Sequence, residues 1–495
     1  MTDTRAAGVL LHPTSLPGRF GIGDLGPEAV RWLDFLAAAG QKLWQVLPLG
    51  PTGYGDSPYQ CFSAFAGNPN LVSPERLLED GLLTAADLDA APAFAAGRVD
   101  YGAVIAWKGA LLARAHERLA AGAAPALPAA YEAFRAAHAD WLEDFALFMA
   151  LKDAHDGAAW TAWPAELARR EPVALAAARG RLAAETDRHR FRQFLFFRQW
   201  SAVHAHARSR GVRVIGDLPI FVAHDSADVW ANPGLFQLDA AGQPAVVAGV
   251  PPDYFTKTGQ LWGNPLYRWD EMRRDDYAWW TARLRSALGL MDLVRLDHFR
   301  GFEASWQVPA GHPTAEHGRW VPGPAEHFFE VVRAALGTLP LIAEDLGLIT
   351  PPVVALRDWL ELPGMRILQF AFQGDGRHPF LPHNYVRHCV AYTGTHDNDT
   401  ALGWYATAPE RERDYARRYL GVDGPGIAWG MVRAVHASVA GQVVVPLQDL
   451  LELGPEARMN LPGRPDGNWG WRCRDGQLTE TLRDRLRDLT GMFGR

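Results

Sequence analysis

The sequence predicts an α/β protein built as a closed (β/α)8 barrel, a TIM barrel, with an inserted helical subdomain and a long lid loop. Three observations carry this reading. Eight short, near-continuous apolar runs recur along the chain, helix-like segments lie between most of them, and several runs end in charged residues. Apolar runs without alternation are expected when helices cover one face of a strand and a packed core fills the other. Strands alternating with helices give a parallel sheet, and eight repeats close it.

The first two strands are GVLLHPTSL (8–16) and KLWQVLPLG (42–50), within residues 1–71. Residues 72–205 are rich in Ala, Leu and Arg with helical periodicity, as in YEAFRAAHADWLEDFALFMALKDAH, and are expected to form an inserted, mainly helical subdomain. The third strand, VRVIGDLPI (212–220), lies in 206–224. Residues 225–275 are dominated by Gly, Pro and aromatics and lack helical periodicity. A loop this long in a compact domain is usually functional, and it is read as a lid. Residues 276–495 complete the barrel with MDLVRLD (291–297), LPLIAED (339–345), MRILQFAF (365–372), CVAYTGTHD (389–397) and QVVVPLQD (442–449), spaced by segments such as YAWWTARLRSALG.

Composition narrows the function classes. The 495 residues are 48% hydrophobic and 21% charged, which marks a globular chain. The net charge is −7 with both signs interspersed and no polybasic patch, so nucleic acid and anionic membranes are not expected partners. The apolar run before His12 and Pro13 is too short for a secretory signal, and no run approaches membrane-spanning length. Cys61, Cys389 and Cys473 are few, odd in number and far apart, which fits a reducing cytoplasm and suggests neither a disulfide framework nor a thiolate metal site. Several of the 19 Trp sit in Gly- and Pro-rich loops, where flat aromatic faces suit planar or sugar ligands.

In a barrel of this kind, catalytic groups collect at the carboxyl ends of the strands. The charged ends are Asp217 in IGDLPIF, Arg295 and Asp297 in VRLDHFRG, Glu344 and Asp345 in IAEDLG, and His396, Asp397 and Asp399 in YTGTHDND. An Asp after a strand also caps the following helix, and for any one of these taken alone that is the simpler reading. Four strands ending this way at one mouth exceed what stability requires. Carboxylates with an Arg and a His, and no Ser or thiol nucleophile pattern, suit glycosidic chemistry, in which one ionised carboxylate faces the anomeric carbon and a second, protonated, serves the leaving oxygen. Arg295 shares a strand face with Asp297 and favours its ionised form, so Asp297 is the better nucleophile. Glu344 has no basic sequence neighbour and is the better acid. A metal site is the competing reading, but it would call for several His on adjacent strand ends. His204 and His206, the His-x-His pair in FRQWSAVHAHARSRG, read as a solvated helix face.

Seven blocks in order closely resemble glycoside hydrolase family 77, the 4-α-glucanotransferases of the α-amylase clan. They are LHPTSLPGRFGIGDLG (11–26), PLGPTGYGDSPYQCFSAFAGNP (48–69), IGDLPIFVAHDSADVW (215–230), GVPPDYFTKTGQLWGNPLY (249–267), RLDHFRGF (295–302), AEDLG (343–347) and THDNDT (395–400). The resemblance implies Asp297 as nucleophile beside Arg295, Glu344 as general acid/base, Asp397 as transition-state stabiliser with His396 holding sugar hydroxyls, and Asp217 orienting the site. It also implies that Ser57 and Tyr59 line the donor side, that Tyr254, Gln260 and Trp262 belong to the lid over the glucose rings, and that Asn468 in GNWGWR contacts substrate. For Tyr59 ordinary packing is the alternative, and for Trp262 a role as lid anchor. LPIFV stands where the wider clan has Asn-His after the third-strand Asp, as in family 77. After THDND about 95 residues remain, too few for a C-terminal β-domain.

The implied reaction moves α-1,4-glucan segments to the 4-hydroxyl of another glucan or of glucose, through a covalent glucosyl–Asp297 intermediate. It requires no cofactor and no metal. The expected partners are α-1,4-glucans and glucose, and the chain is expected to be a cytoplasmic monomer or weak homo-oligomer. A hydrolase of the same clan and a catalytically idle glucan-binding protein are the alternatives.

Overall fold

A computed structural model describes residues 5–252, 257–464 and 466–495. Eight parallel strands form the predicted barrel. They are β1 (Ala6–Leu10), β2 (Leu43–Gln45), β3 (Arg213–Pro219), β6 (Leu293–Asp297), β9 (Leu341–Ala343), β10 (Gly364–Ile367), β11 (Cys389–Tyr392) and β12 (Gln442–Pro446). Each lies within or beside one of the eight apolar runs. The hydrogen-bonded order is β10-β11-β12-β1-β2-β3-β6-β9. The seam between β9 and β10 is closed by other means. Ala343 N–H donates to Pro363 O at 3.0 Å, and Asp345 Oδ1 accepts Met365 N–H at 2.7 Å.

Side chains split by the two-residue period of a strand. Leu43, Ile215, Leu293, Ile342, Met365, Val390 and Val444 pack together as a small core filling the barrel. Their neighbours Trp44, Val214, Val294, Leu341, Ala391 and Val443 belong to the larger core under the surrounding helices. In register, Asp217 pairs with Arg295, so the inward face turns from apolar to charged near the carboxyl ends.

Between β2 and β3 the chain runs through helices that include Tyr101–Ala120, Leu127–Ala137, Ala139–Ala154 and Ala183–Ser209. The last spans 27 residues and holds the segment after β2 from behind. Gln193 exchanges two hydrogen bonds with the backbone of Gly67, at 2.7 and 2.9 Å, and Gln199 accepts Ser73 N–H at 2.7 Å. Gly67 is required there, because a Cβ would stand 1.9 Å from the Phe196 ring. His204 and His206 on this helix depart from the solvated-face reading. His204 is buried against Asp292 at 2.9 Å, and His206 is half-buried against Asp34 at 2.9 Å. The helix is covered on more than one side, so residues two apart both find partners.

The lid region departs from a plain loop. It carries β4 (Val246–Val250) and β5 (Gln260–Pro265), which join β7 (Ala304–Pro309) and β8 (Arg319–Pro322) in an antiparallel sheet of order β5-β4-β7-β8. Glycine-interrupted, partly exposed strands whose partners lie far along the chain leave little periodic signal. The sheet is tied to the end of β3 by Asn264 Nδ2 donating to Val222 O at 2.9 Å and Tyr267 Oη donating to Ile220 O at 2.8 Å. After Pro446 the described residues form helices and turns and no further strand. Among the described residues no helix is long and apolar enough to cross a membrane.

Candidate active site

Arg295 organises the mouth of the barrel. Its Nη1 donates to both oxygens of Asp217, at 2.9 and 2.7 Å, and its Nη2 lies 2.8 Å from Asp297 Oδ1. The Asp217 side chain is fully buried and that of Arg295 nearly so, whereas Asp297 keeps 28% of its side chain exposed toward the mouth. Burial opposes the charge on Arg295, but the two carboxylates outweigh it and hold the guanidinium ionised. Burial pushes the Asp217 carboxyl above its ordinary value, and the guanidinium draws it back. The pairing ties both Asp217 oxygens to the guanidinium and leaves Asp297 the more exposed of the two acids.

Glu344 follows β9, which neighbours β6 with Leu296 opposite Ala343. Continuing that register by one residue sets Asp297 beside Glu344, on strands about 4.8 Å apart. Glu344 Oε2 accepts His298 N–H at 2.8 Å, and Oε1 accepts Leu346 N–H at 2.9 Å. Burial pushes its pKa up to about 8. The Arg295 charge opposes this, the Asp297 charge adds to it, and the Leu346 N–H opposes it more weakly. A group that stays protonated at neutral pH therefore stands beside an arginine-paired carboxylate, the division of labour expected of an acid and a nucleophile.

His396 and Asp397 sit in the loop after β11. Tyr59 Oη donates to Asp217 Oδ2 at 2.9 Å and lies 3.3 Å from His396 Nδ1, and the two rings stack at 4.9 Å. The Tyr59 ring is half-buried, but its hydroxyl is desolvated beside Asp217, which raises its pKa far above the ordinary value and keeps it a neutral donor. Tyr59 thus joins the third-strand carboxylate to His396 by a hydrogen bond and a ring contact. His396 Nε2 lies 3.4 Å from Asp397 Oδ2. Ser57 Oγ accepts Tyr59 N–H at 3.2 Å and shapes the turn before it.

Four residues at this mouth are assigned no role in the reading from sequence. Asn460 Nδ2 donates to Asp397 Oδ1 at 2.6 Å, Arg458 Nη2 donates to Asp397 O at 2.6 Å, and Trp469 lies 5.8 Å from the Tyr59 ring and 6.0 Å from His396. They lie in aperiodic segments, RMNLPG and GNWGW, whose only signal is polar or aromatic residues beside Pro and Gly. The fourth is His298, whose backbone serves Glu344.

On the lid, Trp262 meets His298 edge-on at 4.7 Å, and its Nε1 donates to Gln260 Oε1 at 3.2 Å. Asn468 turns inward on its own loop, where Oδ1 accepts Leu461 N–H at 2.9 Å and Nδ2 donates to Arg464 O at 2.8 Å. Tyr254 lies outside the described residues. Asp345 is used at the barrel seam, with Arg357 Nη1 at 2.6 Å and Arg366 Nη1 at 3.6 Å as its counter-charges. Among the described residues no group of three His, Cys, Asp or Glu is placed to hold a metal ion.

A family model for 4-alpha-glucanotransferase, glycoside hydrolase family 77, matches residues 11–479. The chain belongs to this family. A 4-alpha-glucanotransferase of Thermus thermophilus is 55% identical over 493 residues, covering 98% of both chains. One from a Synechocystis species is 52% identical, covering 100% of this chain and 99% of the relative. Among solved structures, the amylomaltase from Streptococcus agalactiae in complex with acarbose has a TM-score of 0.96 at 38% identity and covers 99% of this chain and 100% of its own. The family is one of transglycosidase enzymes, and the barrel with acids at its strand ends is in keeping with it.

Proposed function

We propose that the chain is a retaining 4-α-glucanotransferase. Asp297 attacks the anomeric carbon of an α-1,4-glucan while Glu344 protonates the departing 4-oxygen. This gives a β-linked glucosyl–Asp297 ester and a released glucan or glucose. The 4-hydroxyl of an incoming glucan or glucose then gives its proton to Glu344 as it displaces Asp297, restoring an α-1,4 bond. Asp397, on the loop facing these groups, takes part by holding hydroxyls of the reacting sugar more tightly as the oxocarbenium-like state forms, with His396 alongside. The observation that carries the proposal is the bridge Asp217–Arg295–Asp297 set beside Glu344 on the next strand.

The same electrostatics support the change of role in Glu344. The Asp297 charge raises the Glu344 pKa and the Arg295 charge lowers it. Esterification neutralises Asp297 and leaves Arg295 charged. The Glu344 pKa then falls when the residue must act as base.

The bond broken and the bond made are alike, so transfer is nearly isoenergetic and catalysis acts on the barrier alone. Water is the rival acceptor. The sheet-built lid, with Trp262 packed on His298, supports a reading in which a bound glucan covers the site and water is kept out of line. That the similar Streptococcus agalactiae amylomaltase was solved with acarbose supports glucan-type ligands for this site.

Product analysis from maltotriose is the test. A ladder of products longer than maltotriose, unchanged by EDTA, is expected. Shortening alone would make the chain a hydrolase, and EDTA-sensitive turnover would contradict the metal-free scheme.

A further inference from the structure

The run QVVVPLQD (442–449) spans the last barrel strand and enters a one-turn helix, Leu447–Leu450, and its last two polar residues, Gln448 and Asp449, have no place in the scheme above. Gln448 and Asp449 are 1% and 2% exposed. Asp449 Oδ2 accepts the Thr393 hydroxyl at 2.6 Å, and Oδ1 accepts Ala401 N–H at 2.7 Å. Thr393 and Ala401 are the two ends of the loop TGTHDNDTA, which carries His396 and Asp397. Gln448 Nε2 donates to Ala457 O at 3.2 Å. Ala457 directly precedes Arg458 and lies three residues before Asn460, and these two hold Asp397 by its carbonyl and its carboxylate. Two neighbouring residues therefore grip both halves of the cradle around Asp397: the loop that bears it and the segment that binds it.

The loop keeps its shape by bonds of its own. Asn398 Oδ1 accepts both the N–H and the hydroxyl of Thr395, at 2.8 and 2.9 Å, and Thr400 Oγ1 caps the next helix at Gly403 N–H. What those bonds leave open is where the loop stands relative to the barrel. Gln369 contributes one anchor, donating to Asp399 O at 2.8 Å. Asp449 contributes the anchors at both ends. A carboxyl buried this deeply, pushed up to about 6 by burial with the Asp399 charge adding to it, is a costly group to keep where an apolar residue would pack.

We propose that Gln448 and Asp449 are positioning residues that set the aim of Asp397, by fixing its loop and its partners to the one-turn helix that follows β12. The inference rests on the reading of Asp397 as a group that stabilises the transition state. An error of about 1 Å in such a group costs about 10²-fold in rate.

The test uses the full chain, with kcat and KM measured on maltotriose and on an α-maltosyl fluoride donor, and thermal unfolding measured alongside. Asp449→Ala is expected to lose about 10²-fold in kcat with KM changed less than about threefold, while still unfolding cooperatively. Asp449→Asn still offers an oxygen to Ala401 N–H and is expected to recover part of the loss. Thr393→Val, which removes one of the two anchors, is expected to fall between Asp449→Ala and the parent. Adding Asp449→Ala to Asp397→Ala is expected to cost little beyond Asp397→Ala alone, since both act through one carboxylate. A kcat for Asp449→Ala within about threefold of the parent, or full additivity with Asp397→Ala, would overturn the proposal. If Asp449→Ala does not fold, Thr393→Val and Gln448→Ala decide it by the same kcat and additivity criteria. An Asp397→Ala variant with parental kcat would instead remove the reading of Asp397 itself, and this inference with it.

Discussion

The backbone N–H of His298 donates to Glu344 Oε2 at 2.8 Å, so the residue after Asp297 holds the carboxyl group beside it. His298 has φ 51°, a left-handed conformation that costs a non-glycine residue of order 1 kcal/mol or more. That reversal is what aims the N–H. With Leu346 N–H on the other oxygen, Glu344 is fixed in place, and burial sets its pKa at about 8. The acid form therefore predominates through neutrality. For maltotriose, kcat/KM is expected to be level near neutral pH and to fall above about 8. Fluoride release from α-maltosyl fluoride needs no proton on the leaving group and should lack that limb in a burst measurement. A limb common to both donors would assign it to a different group.

The same shift makes Glu344 a liability to the fold. Its pKa is about 8 in the folded chain against an ordinary 4.5. Between those values the folded state holds a proton that the unfolded chain has lost, so stability falls as pH rises through that window. Glu344→Gln removes this dependence. It also gives up one acceptor for a backbone N–H, a pH-independent cost of about 1 kcal/mol. The melting temperature of Glu344→Gln minus that of the parent is thus expected to increase from pH 5 to pH 8 by several degrees. A flat difference would show that Glu344 does not titrate in this range.

Arg295 is the joint between two acids, so its loss should register in stability as well as rate. Arg295→Met leaves Asp217 buried with only the Tyr59 hydroxyl and is expected to cost about 3–5 kcal/mol in urea unfolding. Arg295→Lys restores a charge but not a planar fork able to reach both carboxylates. It should recover much of the stability and little of kcat. Equal recovery of both would mean that charge alone is what the site needs.

The barrel was legible because its strands are buried on both faces and so read as unbroken apolar runs, from VRVIGDLPI to QVVVPLQD. The lid sheet was not. Val246 pairs with Pro309, over sixty residues away, and β4, β5 and β8 are short and partly exposed, with Gly or Pro inside or at their ends. Asp217, Arg295, Asp297, Glu344 and Asp397 stood out because charge sits toward the carboxyl ends of apolar runs. Asn460, Arg458 and Trp469 did not, because coil segments have no period against which a residue can look misplaced. His204 was misjudged for a related reason. Residues two apart on a helix do face different directions, but the long helix Ala183–Ser209 is covered by Asp292 on one side and Asp34 on another.

Trp262 joins the lid to the site through an edge-on contact with His298 at 4.7 Å, with the Phe221 ring 6.5 Å away as a second ring contact. Removing the indole opens a path for water beside the residue that holds Glu344. Trp262→Ala is expected to raise the share of hydrolysis over transfer by about threefold to tenfold, with weaker acceptor binding. The ratio is read from reducing-end yield against long-product yield from maltotriose. If neither the ratio nor the acceptor dependence moves, Trp262 is an anchor for the lid and no barrier to water.

Asp345 provides the contrast to its neighbour Glu344. Its side chain is 3% exposed and faces away from the reacting groups, with Oδ1 on Met365 N–H and Oδ2 on Arg357 and Arg366. It closes the one strand pair of the barrel that lacks a full ladder. Gly364 stands against it so closely that a Cβ would lie 2.3 Å from Oδ2. Asp345→Ala leaves Arg357 and Arg366 without a buried counter-charge and Met365 N–H without an acceptor, for an expected loss of about 3–5 kcal/mol. Gly364→Ala should destabilise through the same contact, and the two losses should not add. Because the seam lies beside the β9 strand end, a residual effect on kcat is expected to stay within about threefold for the molecules that remain folded. A large fall in kcat at full stability would place Asp345 among the groups that act on substrate, in place of the structural role its contacts describe.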